Sequence, residues 1–168
     1  MLFSKCYDIY CTYLHTPDLS KEANPLVSVL GLNWLLLLMV IGLLTIYTCY
    51  TLYLISFKPI TLYPLDKGYS FSNFIAYMYF GKKSSWLSII YRVPPIRNKR
   101  FHYTFGNIFV RYLVFAGVVS TVMWLLINNS EAYRAIHNHL VIYGILISGT
   151  FIILYNYYNT NYNKYQAQ

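Results

Sequence analysis

The sequence predicts an all-α membrane protein with three transmembrane helices and a basic, aromatic-rich interfacial segment between the first and the second. Of the 168 residues, 57% are hydrophobic and only 11% are charged, whereas soluble domains carry about 25% charged residues. Long uncharged runs recur along the chain, and most basic residues lie in one segment. A soluble domain of this size could not bury so much apolar surface, and a disordered chain would be poorer in aliphatic and aromatic residues.

The first predicted transmembrane helix lies in the charge-free stretch between Glu22 and Lys58. About 20 helical residues cross the hydrocarbon core of a bilayer, so this stretch is long enough to span it with some tilt. Pro25 suits the first turn of a helix, and Pro59 ends the helix. Trp34 lies near one end and several Tyr residues lie toward the other, which is typical of an aromatic belt.

The segment before this helix, residues 1–24, is polar and balances two Lys residues against three acidic ones. It lacks the basic start and apolar centre of a secretory signal and the Arg-rich, acid-poor composition of a transit peptide. We therefore expect a chain made without a removable targeting segment, or made within an organelle. Cys6 and Cys11 could form a disulfide in an oxidising compartment, but no second pair completes a zinc site.

The predicted interfacial segment carries most of the positive charge. Residues 58–100 hold eight of the 13 Lys and Arg residues against one acidic residue, Asp66, a net charge of +7. Its apolar runs, 70–80 and 84–91, are too short to span a bilayer, and Pro94–Pro95 breaks any helix that continues. Aromatic residues interleaved with Lys and Arg favour a segment lying in the membrane interface. A re-entrant hairpin is the alternative.

The second and third transmembrane helices are predicted from two further uncharged runs. Residues 112–130 contain 19 uncharged residues, and residues 140–158 are uncharged as well. Because basic loops remain on the side of synthesis, the charge distribution places the N-terminus outside and the long basic loop inside. The charge distribution and the three spans together predict the following organisation: a polar N-terminal segment on the outer side, 1–24; a first transmembrane helix, 25–58; a basic interfacial loop on the inner side, 59–100; a second helix, 101–128; a short outer loop, 129–139; a third helix, 140–158; and an inner C-terminal tail, 159–168.

Arg111 is the one charged residue within the apolar part of a predicted helix. Such a residue can reach the interface and bind lipid, pair with a carboxylate of a partner subunit, or take part in proton transfer. Basic pockets on the inner side of a membrane suit anionic phospholipids such as cardiolipin better than nucleic acid. The residues predicted to bind lipid are Lys82, Lys83, Arg92, Arg97, Lys99, Arg100 and Arg111.

Small residues spaced four apart predict close helix packing on the second and third spans. We expect these faces to meet each other or a helix of a partner subunit. The residues are Ala116, Gly117, Ser120, Thr121, Gly144 and Ser148.

Histidines near helix ends suggest haem as one possible cofactor, because two helices of a bundle can each supply a His ligand. The candidates are His137 and His139, before the third span. His102 begins the second span, and an antiparallel hairpin places it at the opposite membrane face. A haem would therefore have to be shared with another subunit. No cofactor is expected within this chain except bound phospholipid, no metal site is expected, and no residue is predicted to be catalytic.

The composition resembles that of small hydrophobic respiratory-chain and ATP synthase subunits encoded in AT-rich protist mitochondrial genomes. The resemblance rests on the abundance of Tyr, Phe, Ile and Asn, with 20 Tyr and 10 Phe, and on closely spaced spans. An AT-rich genome favours these residue types; a functional aromatic surface is the alternative. The resemblance implies a structural, non-catalytic subunit of a multi-pass complex in the mitochondrial inner membrane, surrounded by other membrane subunits and anionic phospholipids. It also implies that the outer side is the intermembrane space and the inner side is the matrix.

Two more specific resemblances offer alternative functions. The fragment Phe105–Gly106–Asn107, followed by Arg111 and the later histidines, looks like the Arg-containing helix pair of ATP synthase subunit a, which implies a divergent proton-channel subunit. The sequence departs from that family at Tyr103, where the family places its essential Arg. The three-span, His-bearing outline also resembles succinate dehydrogenase membrane anchors, which implies an anchor that completes a haem or quinone site.

Overall fold

The computed structural model describes residues 2–19, 24–85, 87–92 and 97–168. Within these ranges every regular element is a helix, so the predicted all-α class is confirmed. The predicted break at Pro94–Pro95, and residues 1 and 20–23 of the predicted N-terminal segment, lie outside the described residues. The helices are α1 (Leu2–His15), α2 (Pro25–Ser28), α3 (Trp34–Phe57), α4 (Phe71–Phe80), α5 (Ser88–Tyr91), α6 (Lys99–Asn129), α7 (Glu131–Ile136) and α8 (His139–Gln166).

Three of these helices, α3, α6 and α8, are long and apolar enough to cross a membrane, with 24, 31 and 28 residues. At 1.5 Å per residue they extend about 36, 46 and 42 Å, compared with a hydrocarbon core about 30 Å thick. Large apolar side chains on α3, such as Leu35, Leu43 and Ile46, are exposed. Exposed leucines and isoleucines at this density suit contact with lipid or with other membrane subunits.

The first long helix begins later than residue 25, where the sequence analysis placed its start. A short helix, α2, ends at Ser28, and Gly31 then adopts a left-handed conformation with φ of +65°. The side-chain oxygen of Asn33 accepts a hydrogen bond from the Leu36 amide at 3.0 Å. This is the geometry of a helix N-cap, in which the side chain satisfies an amide that has no partner within the helix. The cap and the glycine turn together start α3 at Trp34.

The segments predicted as N-terminal segment, outer loop and tail also contain helix. Residues 2–15 form α1, and the predicted loop 129–139 contains α7, whose N-cap Ser130 accepts a hydrogen bond from the Tyr133 amide at 3.2 Å. The last long helix, α8, continues past residue 158 to Gln166 because its final turns bury Tyr157 and Tyr165. Two buried rings eight residues apart lie on one face of a helix, which stabilises turns that are otherwise rich in Asn.

The chain divides into two compact units, and each long helix contributes residues to both. The first unit contains residues up to Ile46 together with Tyr112–Thr150. Its buried core is formed by Cys11, Trp124 and Ile127.

The second unit contains Tyr47–Arg111 and Phe151–Gln168. Tyrosine hydroxyl groups bind the connecting segment between α3 and α4 to α8: the Tyr165 hydroxyl donates to the Asp66 carbonyl at 2.8 Å and accepts from the Tyr69 amide at 3.2 Å. The hydroxyl groups of Tyr79 and Tyr158 lie 2.5 Å apart. Part of the tyrosine content therefore makes specific structural hydrogen bonds. The buried core of this unit is formed by Leu62, Phe74, Met78, Ile108, Tyr157 and Tyr165.

Candidate anion-binding site

A cavity of 540 Å³ opens in the second unit between α6, α8 and the segment that follows α3. Two cationic side chains, Arg111 and Lys164, line it, and no Asp or Glu is among the described residues of its wall. The remaining lining residues are mostly polar or aromatic: Ile60, Thr61, Leu62, Tyr63, Tyr103, Asn107, Asn156, Tyr157, Thr160, Asn161 and Gln168.

The Arg111 side chain is held in this cavity by an aromatic ring. Its guanidinium carbon lies 5.7 Å from the centroid of the Tyr157 ring, and the Tyr157 side chain is buried in the core of the unit. A cation over the face of an aromatic ring is attracted by the ring's quadrupole. Because a guanidinium carries five N–H donors and Arg111 itself is exposed, these donors remain available to an anion in the cavity.

The polar groups around the two cations are partly satisfied by the protein itself. The amide nitrogens of Asn107 and Asn161 donate to backbone carbonyls one helical turn earlier, at 3.0 and 2.7 Å. The Tyr63 hydroxyl donates to the Asn161 side-chain oxygen at 3.1 Å. These bonds fix the cavity wall, while Arg111 and Lys164 have no carboxylate within ion-pair distance in the described part of the chain. The arrangement can therefore hold a phosphate or a carboxylate.

The position of Arg111 along α6 suits an interfacial ligand. It directly precedes the 19 uncharged residues of Tyr112–Ser130, so it marks the edge of the apolar part of the helix. Lys164 lies near the end of α8, beyond residues 140–158, the part of that helix predicted to span the membrane. An anionic group in this cavity would thus meet both cations at the boundary between polar and apolar surface.

Arg100 has a structural role that sets it apart from the other residues predicted to bind lipid. Its two terminal nitrogens donate to the carbonyls of Thr61 and Leu62 at 2.9 and 2.8 Å, and its guanidinium carbon lies 4.9 Å from the centroid of the Tyr77 ring. The side chain therefore joins the start of α6 to the segment after α3 and to α4. The predicted residues Lys82, Lys83, Arg92, Arg97 and Lys99 are all exposed.

The histidines predicted as possible haem ligands, His137 and His139, line a second cavity of 480 Å³ in the first unit. The buried Nδ1 atom of His137 has no hydrogen-bond partner among the described residues. His102 belongs to the second unit, where its Nδ1 lies 3.1 Å from the Tyr47 hydroxyl.

The described residues contain no cluster of three or more His, Cys, Asp or Glu side chains that could hold a metal ion. The free thiols of Cys6, which is exposed, and Cys11, which is buried, are not joined.

The small residues of the second span pack against α1 instead of against the small residues of the third. A Cβ atom added to Gly117 would overlap the Ser4 side chain, and Ser120 donates a hydrogen bond to Asp8. The first-unit parts of α6 and α8 meet where Phe115 covers Gly149.

The rest of the small-residue set is open or engaged locally. A Cβ atom at Gly144 would meet no atom within 4 Å, and Ser148 is exposed. Ala116 lines the cavity of the first unit, and the Thr121 hydroxyl donates to the Gly117 carbonyl at 2.8 Å. That Gly144 and Ser148 face a partner helix stays a prediction.

Asp8, Tyr157 and Lys164 were not predicted as site residues from the sequence. A signal for α1 was present, because Ser4, Asp8, Cys11 and His15 recur at helical spacing and so lie on one face. No comparable pattern marks Tyr157 or Lys164, whose importance depends on which side chains the fold brings near Arg111.

Comparison with known protein families, curated proteins and solved structures found no match to this chain.

Proposed function

We propose that this chain is a structural, non-catalytic membrane subunit whose second unit binds the phosphate group of an anionic phospholipid between Arg111 and Lys164. The observation that carries the proposal is the cavity itself, which has two cationic side chains and no acidic one among the described residues of its wall. A phosphate there gains charge-assisted hydrogen bonds from a guanidinium and an ammonium group. Cardiolipin, with two phosphates and four acyl chains, matches a cationic cavity next to lipid-facing helices.

We further propose that the chain belongs to a large complex of the mitochondrial inner membrane, with its basic segment on the matrix side. The composition and the +7 charge of residues 58–100 support this location. The exposed apolar side chains along α3 offer surface to lipid and to neighbouring membrane subunits. Co-purification in mild detergent tests this assignment: we expect several membrane subunits to remain bound, and a monomeric chain would contradict it.

The lipid site is tested by native mass spectrometry of the protein purified in mild detergent. Arg111→Gln and Lys164→Gln are compared with Lys67→Gln, an equal loss of charge at an exposed position that lies outside the cavity and outside the set predicted to bind lipid. A basic residue beside the bound headgroup contributes about 1 kcal/mol to the attraction of anionic lipid, so we expect a loss of about 5-fold in cardiolipin affinity for each cavity variant and about 30-fold for the pair. Lys67→Gln should leave affinity nearly unchanged, because this residue does not line the cavity.

Three ligands separate the possible sources of the phosphate. Cardiolipin should bind in an Arg111-dependent way, and the zwitterionic lipid phosphatidylcholine should bind more weakly. Inorganic phosphate tests for a site that recognises the anion alone. If phosphate competes as well as cardiolipin does, the acyl chains contribute nothing and the lipid assignment is wrong. If wild type, Arg111→Gln and Lys164→Gln bind cardiolipin equally well, the cavity is not the lipid site and the proposal is wrong.

A further inference from the structure

Helix α1 packs along the last part of α6, and the two helices run in the same direction. Near the start of α1, Ser4 lies against Gly117, where an added Cβ atom would overlap it. Further along, Cys11 packs in the core with Trp124 and Ile127. All of these contacts lie within the first unit.

The part of α6 that α1 covers is the apolar part. The contacts begin at Gly117 and reach Ile127, inside the 19 uncharged residues of Tyr112–Ser130. Ser120, which donates to Asp8, lies nine residues before the last residue of α6, Asn129. At 1.5 Å per residue that is about 14 Å from the helix end, near the middle of a core about 30 Å thick. If α6 crosses a bilayer, α1 lies inside it.

The polar side chains that α1 carries to this depth are paired. One carboxylate oxygen of Asp8 accepts hydrogen bonds from the Ser120 hydroxyl and from the Trp124 indole, the latter at 2.9 Å. The other oxygen lies 3.8 Å from the Lys5 ammonium nitrogen. An isolated charge in hydrocarbon is costly, whereas one that is paired and hydrogen-bonded is tolerated. This pairing lowers the cost of placing Asp8 and Lys5 inside a bilayer.

The outer face of α1 is apolar and exposed. Phe3 is 92% exposed, and Tyr10, Tyr13 and Leu14 are between 57% and 60% exposed. Cys6, Ile9, Tyr10 and Tyr13 also line a groove with Trp34 and Leu38 of the first span. Because this groove continues onto a helix that can cross a membrane, the surface is continuous with the lipid-facing surface of that helix.

We propose that α1 is a half-crossing membrane helix whose outer face contacts lipid acyl chains and which carries the Lys5–Asp8 pair into the hydrocarbon layer. Residues 1–24 were predicted to lie in the polar phase outside the membrane, so this is a different topology for the N-terminal segment. It adds a lipid-contact surface and an intramembrane carboxylate to the chain, independently of the Arg111 cavity.

The native cysteines provide the test. Cys6 on α1 and Cys49 on α3 are both exposed, whereas Cys11 is buried. The variant Cys11→Ala/Cys49→Ala leaves Cys6 for a bimane label, and Cys6→Ala/Cys11→Ala leaves Cys49 as the reference within a span. Adding Lys83→Cys to a chain without the native cysteines supplies an exposed loop reference. The purified protein, in whatever assembly it is isolated, is placed in phosphatidylcholine vesicles with a doxyl quencher on the acyl chain, or with aqueous iodide.

We expect quenching of the Cys6 label by acyl-chain doxyl groups to lie within 2-fold of that of the Cys49 label. Quenching of the Cys6 label by iodide should be at least 5-fold weaker than that of the Lys83→Cys label. Iodide quenching of Cys6 equal to that of the loop reference would overturn the proposal. If neither reagent quenches the Cys6 label, another protein segment covers the outer face of α1, and the proposed lipid contact is wrong. If removal of Cys11 prevents folding, the wild-type chain in intact membranes is treated with a charged maleimide. Modification of Cys6 but not Cys49 before detergent is added would then refute the proposal.

Discussion

Arg100 is predicted to hold the segment between α3 and α4 in place, and its removal should loosen that segment locally. Arg100→Gln eliminates two hydrogen bonds from a charged donor, at 2.9 and 2.8 Å to the carbonyls of Thr61 and Leu62, and the contact with the Tyr77 ring. Bonds from charged donors contribute about 1.5–3 kcal/mol each when buried, and a cation–π contact adds about 0.5–1 kcal/mol. Arg100 is only partly buried and its Nε has no partner among the described residues, so we expect a net loss of about 2 kcal/mol.

A loss of that size raises the population of the locally open state about 30-fold. Hydrogen exchange followed by mass spectrometry should show the amides of residues 59–70 exchanging faster by that factor, because exchange reports local opening. Lys99→Gln is the matched control, since it removes the same charge from an exposed neighbour. Arg100→Lys keeps the charge but loses the two-pronged geometry, so its exchange rate should fall between wild type and Arg100→Gln. Wild-type exchange in Arg100→Gln would refute the assigned role.

Packing and burial lead to three further predictions. Gly149→Leu should lower the thermal stability of the purified protein, because even a Cβ atom there would overlap the Phe115 ring. Gly144→Leu should not lower it, since a Cβ atom at Gly144 meets nothing within 4 Å. Equal changes in melting temperature for the two variants, measured by light scattering, would contradict this packing. Gly144→Leu should instead weaken assembly with partner subunits if that face meets another helix. Burial raises the pKa of the Tyr79 hydroxyl above its usual value of 10.0, an effect only partly opposed by the hydrogen bond with Tyr158. The folded state therefore favours the neutral hydroxyl more than the unfolded state does. The contribution of this preference to folding stability is complete below pH 10 and is lost as the pH rises toward the higher folded-state pKa. The melting temperature of wild type should therefore fall more steeply above pH 10 than that of Tyr79→Phe, and parallel pH profiles would argue against this effect.

The three long helices could be predicted from the sequence because their signal is local. A run of about 20 uncharged apolar residues predicts a membrane-crossing helix whatever surrounds it, since the backbone must satisfy its own hydrogen bonds in hydrocarbon. The ends of the helices were harder to predict. The start of α3 depends on a side-chain cap from Asn33, and the end of α8 depends on Tyr165, whose burial requires the segment around Asp66 to lie against it.

The candidate site was only partly predictable for the same reason. Arg111 is conspicuous as a charge beside an uncharged run, but Lys164 is an ordinary residue of a polar tail until α8 folds beside α6. Conversely, Arg100 has the same sequence character as Lys99, yet it is directed to backbone carbonyls while its neighbour is exposed. Residues distant in sequence therefore decide whether a basic side chain faces a ligand or stabilises the fold.

The sequence by itself determined that this chain is helical, that three stretches can cross a membrane, and that its positive charge is concentrated in one segment. These properties depend on composition and spacing along the chain, because the bilayer acts on each helix as a solvent. The tertiary structure decided that α1 lies along α6, that Asp8 is paired with Ser120 and Trp124, and that Arg111 and Lys164 line one cavity. Each of those pairings joins residues more than 50 positions apart, and only packing of the helices can bring such residues together.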